Sequence, residues 1–153
     1  MFRRHFDVNL MGTVNCIQAV MPAMIAARAG MIVGVASLAG YRGMPSSEAY
    51  GSTKAAQINL LESLRIDLRR RGVRVQTVCP GFVETAMTER NTFPMPWIMS
   101  AEDAAHKMAD GIASGRPEVV FPTPMLLLMK TARLVPVRAW AALLSRAGKK
   151  APA

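Results

Sequence analysis

Apolar residues recur in this chain with two different periods, and the alternation between them lays out a row of helices and strands. Over residues 4–28 they fall at Val8, Met11, Val14, Ile17, Val20, Met21 and Met24, steps that predict a helix with an apolar face. Pro22 lies inside that run and predicts a bend or a break between two helical pieces. After Gly30 the pattern becomes an unbroken apolar run, Met31-Ile32-Val33-Gly34-Val35, which predicts a buried strand over 31–37. Residues 38–47, with Gly40, Gly43, Pro45 and two serines, read as loop.

A second helix is predicted over about 48–71 from Ile58, Leu61, Leu64 and Leu68. Gly51 in its first turns suits a place where a backbone or ligand comes close. The apolar run at 73–79 predicts a second strand, closed by Pro80-Gly81. Ser100, followed by Glu102 and Asp103, predicts a capped helix to about residue 114. Glu118-Val119-Val120-Phe121 predicts a short final strand. Helix and strand in this alternation imply parallel strands joined by right-handed crossovers, and so an α/β fold.

Residues 123–153 differ in kind. Met125-Leu126-Leu127-Leu128-Met129 is followed by Lys130, Arg133, Pro136, Arg138, Trp140, Leu143-Leu144, Arg146, Lys149 and Lys150. A spanning helix needs about 20 uninterrupted apolar residues, so this segment is not one. Two readings fit it: an amphipathic tail lying on an anionic membrane surface, and a tail packed on the domain or on a partner subunit.

Composition narrows the classes. A chain of 153 residues, 51% hydrophobic, is the size of one domain with a substantial core, which excludes disorder. The net charge of +9 raises nucleic-acid binding. The densest cluster, Arg69-Arg70-Arg71, ends a helix just before Gly72, where cations complement the macrodipole and glycine terminates. With no aromatic interleaving and no zinc pattern, the reading is no nucleic acid. Cys16 and Cys79 lack ligand spacing, so both are expected as reduced, buried thiols with no metal. His106 is expected to be solvated. No secretory signal follows Met1, so a cytoplasmic setting is expected.

The candidate chemistry lies between residues 37 and 54. Tyr50 and Lys54, four apart on a predicted helix, share a face. A phenol titrates near pH 10, and a nearby ammonium favours the phenolate, bringing it nearer to acid–base work at neutral pH. Ser37 leaves a strand at the edge where open α/β sheets bind ligands, and its hydroxyl can hold a substrate oxygen. On the Tyr50–Lys54 spacing alone, a surface tyrosine and a solvated lysine is the favoured reading, since helices offer that spacing often by chance. The surrounding residues add weight: Val8-Asn9-Leu10-Met11-Gly12 upstream, Ser37 thirteen positions before Tyr50, and Pro80-Gly81-Phe82-Val83-Glu84-Thr85 after the second strand.

This set, in this order, resembles the short-chain dehydrogenase/reductase family over roughly residues 2–90, and weakly to about 122. The resemblance implies a Rossmann-like doubly wound parallel sheet and an oxidoreductase that moves hydride between NAD or NADP and an alcohol or carbonyl. It implies that Tyr50 is the general acid or base. Lys54 would bind the nicotinamide ribose and lower the Tyr50 pKa, Ser37 would hold the substrate oxygen, and Asn9 would maintain a kinked helix and a relay water. Cofactor contacts are implied at Tyr50, Lys54, Pro80, Gly81, Val83 and Thr85, and substrate contacts at Ser37, Leu38, Phe82 and Met87. Residues 86–100, including Phe93 and Trp97, match a substrate lid, although ordinary loop packing explains them as well. An apolar small-molecule substrate and a homo-oligomer built on the two long helices are also implied.

The family's glycine-rich turn, which seats the pyrophosphate on backbone N–H groups, is missing from these residues. The chain is therefore expected to be the C-terminal part of a truncated Rossmann-like domain, residues 1–122, with residues 123–153 as a basic tail. The expected consequences are an unpaired edge on the strand at 31–37 and a catalytically silent isolated chain. The contrasting reading is a non-enzymatic remnant acting as a helix-mediated or membrane-surface interaction module.

Overall fold

Three strands, β1 (Gly30–Val35), β2 (Val73–Pro80) and β3 (Glu118–Phe121), form one parallel sheet in the order β1-β2-β3. The structure, a computed structural model, describes residues 2–148, so Lys149 and Lys150 of the predicted tail lie outside the described residues. Gly30 pairs with Val73 at one end of the β1–β2 ladder and Val35 with Val78 at the other. β3 aligns Glu118 with Thr77 and Phe121 with Pro80. Central β2 is buried from Val75 through Cys79, as expected of a strand covered on both faces. β1 has a neighbour on one side only, and Val35 at its end is 45% exposed. This is the open edge the sequence predicted.

The described residues form five α-helices, α1 (Phe2–Ala27), α2 (Glu48–Leu68), α3 (Ala101–Ala113), α4 (Thr123–Leu134) and α5 (Val137–Gly148), of which the first four pack on the sheet or its carboxyl end. Side chains alternate across a strand, so each face has its own core. On one face Ile17 of α1 and Leu61 and Leu68 of α2 pack with Ile32, Val73 and Val75. On the other, Ala104 of α3 packs with Val78, Val119 and Phe121. At the carboxyl end of the strands, Met125 and Met129 of α4 join Ala36, Leu38, Tyr41 and Cys79. The segment from residue 123 onward thus begins as part of the core.

The terminators read from sequence are present. Gly72 ends the second helix at φ 79°, and the Ser100 hydroxyl accepts from the Asp103 N–H at 3.0 Å.

Two expectations for α1 are corrected. Of the bend or break expected at Pro22, the break is absent: helix continues through it, because that residue faces solvent and water can take the carbonyl its missing N–H leaves free. The irregularity lies instead at Phe6–Met11, a π-helical segment containing Asn9. Cys16, expected to be buried, is exposed on the outer side of α1, and only Cys79 is an interior thiol. The apolar stripe is wider than the face that packs: Val8 is 65% exposed, Met11 45% and Val20 43%. By length and composition α1 is apolar enough to cross a membrane, and only 6% of that stretch is buried.

Candidate active site

Ser37 follows β1 in extended conformation, and its hydroxyl accepts from the Ala39 N–H at 3.1 Å, capping a tight turn at Leu38–Gly40. The hydroxyl also lies 3.4 Å from the Pro80 carbonyl at the end of β2. Ser37 is thereby fixed at the carboxyl edge of the sheet, between two strands. The turn then lies directly on α2. A Cβ on Gly40 would stand 2.7 Å from both the Ala55 nitrogen and the Lys54 carbonyl carbon. A Cβ on Gly51 would lie 3.1 Å from the Ala39 carbonyl, so the close backbone approach expected there is present.

That contact gathers the three candidate residues. The Ser37 hydroxyl lies near enough to the Tyr50 phenol to act against the rise of its pKa. Lys54 Nζ lies 5.7 Å from the centre of the Tyr50 ring and donates to the Val35 carbonyl at 3.0 Å. Asn9 reaches the same helix from α1. Its Nδ2 donates to Thr53 Oγ1 at 3.1 Å, and that hydroxyl donates to the Tyr50 carbonyl at 2.7 Å. The Asn9 carbonyl, in the π-helical segment, accepts from Gln57 Nε2 and from Thr13 Oγ1, each at 2.7 Å.

Electrostatics depart from the sequence expectation. Burial pushes the Tyr50 phenol above its ordinary value, and the nearby Ser37 hydroxyl opposes that only in part. Lys54 does not bring the phenol down; burial lowers its own pKa. The cause is common to both: a low-dielectric setting disfavours phenolate and ammonium alike. Beneath them, burial and the nearby Glu118 push the Cys79 thiol up to about 12.

The Pro80–Thr85 loop crosses the same edge. The Gly81 N–H donates to the Phe121 carbonyl at 2.7 Å, and Val83 bridges to Met99. Thr88 Oγ1 donates to the Val83 carbonyl at 2.7 Å and accepts from the Thr85 N–H at 2.9 Å. The Thr85 hydroxyl lies 3.4 Å from the same oxygen, so this loop is braced from within. Phe82 stacks at a tilt against Phe93 of the lid segment, centroids 6.0 Å apart. Met87 is exposed. Leu38 is 1% exposed and packs in the core with Cys79, Met125 and Met129, so it offers almost no surface to a substrate.

Thr13, Thr53 and Gln57 were missed from sequence, yet Tyr50, Thr53 and Gln57 recur at three and four on a helix face whose neighbours are apolar, a legible signal. The Tyr41 hydroxyl, which donates to Glu118 Oε1 at 2.7 Å and ties the loop after Ser37 to β3, had none, since its partner is 77 positions away. His106 stands in solvent, 4.0 Å from Glu102. Among the described residues no cluster of His, Cys, Asp and Glu could hold a metal. Two cavities of about 290 and 360 Å³ surround Arg65 and Arg69 at the opposite end of the strands and include none of these site residues.

A family model described as short chain dehydrogenase matches residues 1–94. The chain belongs to that family. This short-chain dehydrogenase chain is 42% identical over 130 residues to an uncharacterized oxidoreductase of Myxococcus xanthus, covering 85% of the chain and 51% of the relative. In three dimensions it is similar to a short chain dehydrogenase from Burkholderia cenocepacia in complex with NADP, at a TM-score of 0.79 and 27% identity, covering 94% of this chain and 60% of that one. A short chain dehydrogenase/reductase from Burkholderia phymatum in complex with NAD gives a TM-score of 0.71 at 27% identity, covering 82% of this chain and 54% of the other. The short-chain dehydrogenase chain thus spans about half the length of the curated relative, and the α/β architecture is the Rossmann-like fold of its solved neighbours.

Proposed function

We propose that this chain carries the proton-handling part of an NAD(P)-dependent oxidoreductase that interconverts an alcohol and a carbonyl. The observation that supports this most is the meeting of the Ser37 hydroxyl, the Tyr50 phenol and the Lys54 ammonium at the carboxyl edge of a parallel sheet.

The Ser37 hydroxyl orients the substrate oxygen beside the phenol. Tyr50, whose burial keeps it protonated at neutral pH, gives its proton to that oxygen in reduction. In oxidation the phenolate takes the proton from the alcohol. Lys54 and the Pro80–Thr85 loop, which follows the carboxyl end of β2, would hold the nicotinamide–ribose end of the cofactor. Bound NAD or NADP supplies the hydride donor or acceptor. The pyrophosphate cradle, a glycine-rich turn, is not among these 153 residues. Asn9, held through Thr53 and Gln57, keeps α1 registered on α2 behind the phenol. Phe82, Phe93, Met87 and Trp97 suit a bulky apolar alcohol or ketone, and the open apolar side of α1 suits a second copy.

The test is a chimera joining this chain in frame to the amino-terminal half of the Myxococcus relative. Tyr50→Phe should cut turnover at least 100-fold, with nucleotide affinity changed less than about twofold. Turnover within threefold of the parent would remove Tyr50 from this role.

A further inference from the structure

All ten acidic residues of the chain lie at or before Glu118. From residue 119 onward there are six basic residues, Lys130, Arg133, Arg138, Arg146, Lys149 and Lys150, and no acidic one. The chemistry above uses none of them. The structure shows how part of this segment is presented.

On α4, Met125, Met129 and Ala132, spaced four and three apart, are buried against the domain. Leu127 and Leu134, seven apart, therefore lie on the opposite side with Lys130 between them. They are 60% and 84% exposed. On α5, Val137, Trp140 and Leu144 share a face with Leu143 beside it, and Arg138 lies on the other side. Val137 is 75% and Leu143 58% exposed, and no residue of α5 with a described side chain is buried. Both helices thus present leucine or valine to solvent with cations alongside.

A second copy fits this surface poorly, because each copy would bring the same unbalanced positive charge. A nucleic acid would match the charge and leave the leucines unused. The headgroup region of an anionic bilayer accepts both, with apolar side chains set shallowly and cations at the lipid phosphates. We propose that α4 and α5 form a docking surface for an anionic lipid bilayer. The surface is fastened to the loop between Ser37 and Tyr50. Arg42 donates to the Arg133 and Val135 carbonyls at 3.2 and 2.9 Å, and Trp140 Nε1 donates to the Gly43 carbonyl at 2.8 Å. Docking would hold the candidate cleft close to the bilayer, where an apolar substrate is concentrated.

Flotation of the full chain tests this, using phosphatidylcholine vesicles with and without about a third of phosphatidylglycerol. The chain should float with the anionic vesicles and be released by 0.5 M salt, where the Debye length is about 4 Å against about 10 Å at 0.1 M. Each cation near the surface contributes a factor of about five, so Lys130→Gln with Arg138→Gln should lower the partition coefficient about 25-fold. Leu127→Glu with Leu134→Glu should abolish flotation. Val8→Gln with Val20→Gln, on the exposed apolar side of α1, should leave it unchanged. Equal flotation on neutral vesicles, recovery of the chain in the pellet only, or loss confined to the α1 variant would overturn the proposal. So would a halving of the solution mass by the leucine pair without any effect on flotation, which would assign the surface to a second copy.

Discussion

Adding one methyl group at Gly40 tests whether the contact between the turn and α2 is what brings Ser37 to Tyr50. The new Cβ would sit 2.7 Å from two backbone atoms of α2, where ordinary contact begins at 3.4 Å. The clash involves main chain on both sides, so no side chain can swing away and the turn must retreat by about 0.7 Å. Overpacking of this kind costs about 1–3 kcal/mol. Ser37 caps that turn, so the same retreat carries its hydroxyl away from the phenol, and a misplacement near 1 Å lowers catalysis by about 100-fold. Gly43, on the same loop, is an internal control, since a Cβ there meets nothing within 4 Å. Urea unfolding followed by circular dichroism should give a lower midpoint for Gly40→Ala and an unchanged one for Gly43→Ala. Turnover of the Myxococcus chimera should separate the two variants in the same order. If both variants unfold within about 0.5 kcal/mol of the parent, the packing account of the site is wrong.

Three further outcomes follow from burial. A thiol reagent should modify Cys16 at once and Cys79 only as the chain unfolds, because the first is exposed and the second is interior with a pKa near 12. Two equally fast thiols would contradict the burial of β2. The raised Cys79 pKa also sets a pH dependence: the native state holds the proton more tightly than the unfolded chain, where the value is 9.0. Its stabilisation is therefore complete below pH 9 and lost as pH rises toward 12, about 2 kcal/mol by pH 10.5. Urea midpoints measured from pH 8 to 10.5 should fall, and Cys79→Val should flatten part of the fall; an identical slope in the variant would refute the assignment. Thr53→Val keeps the shape of a fully buried side chain but leaves the Asn9 Nδ2 donor without its acceptor, and should lower stability by about 1–3 kcal/mol by calorimetry.

How far the sequence could be read depends on the range of the interaction concerned. The strands were legible almost to the residue, because a short apolar run between glycine and proline signals has few other readings: 31–37 against Gly30–Val35, and 73–79 against Val73–Pro80. The apolar period of α1 was legible too, but a period says nothing about what covers the stripe, so the exposure of Cys16 and Val8 stayed hidden. Pro22 misled for a related reason. Whether proline breaks a helix depends on whether water can reach the carbonyl it frees, and that is set by the tertiary fold.

The site divides along the same line. That Ser37, Tyr50 and Lys54 meet was readable, since a helical turn and a strand exit are local geometry. The sign of their electrostatics was not. A lysine one turn from a tyrosine favours the phenolate only as far as that attraction outweighs the cost of burying the phenolate charge. Here the sheet edge that gathers the three residues also desolvates them, and Lys54 is turned to the Val35 carbonyl. Tyr50 is therefore protonated at neutral pH, and under the proposed function it would be ready to give that proton to a carbonyl oxygen. Oxidation of an alcohol would need that proton removed first, and its rate should climb with pH without levelling off below about pH 10, the ordinary phenol value.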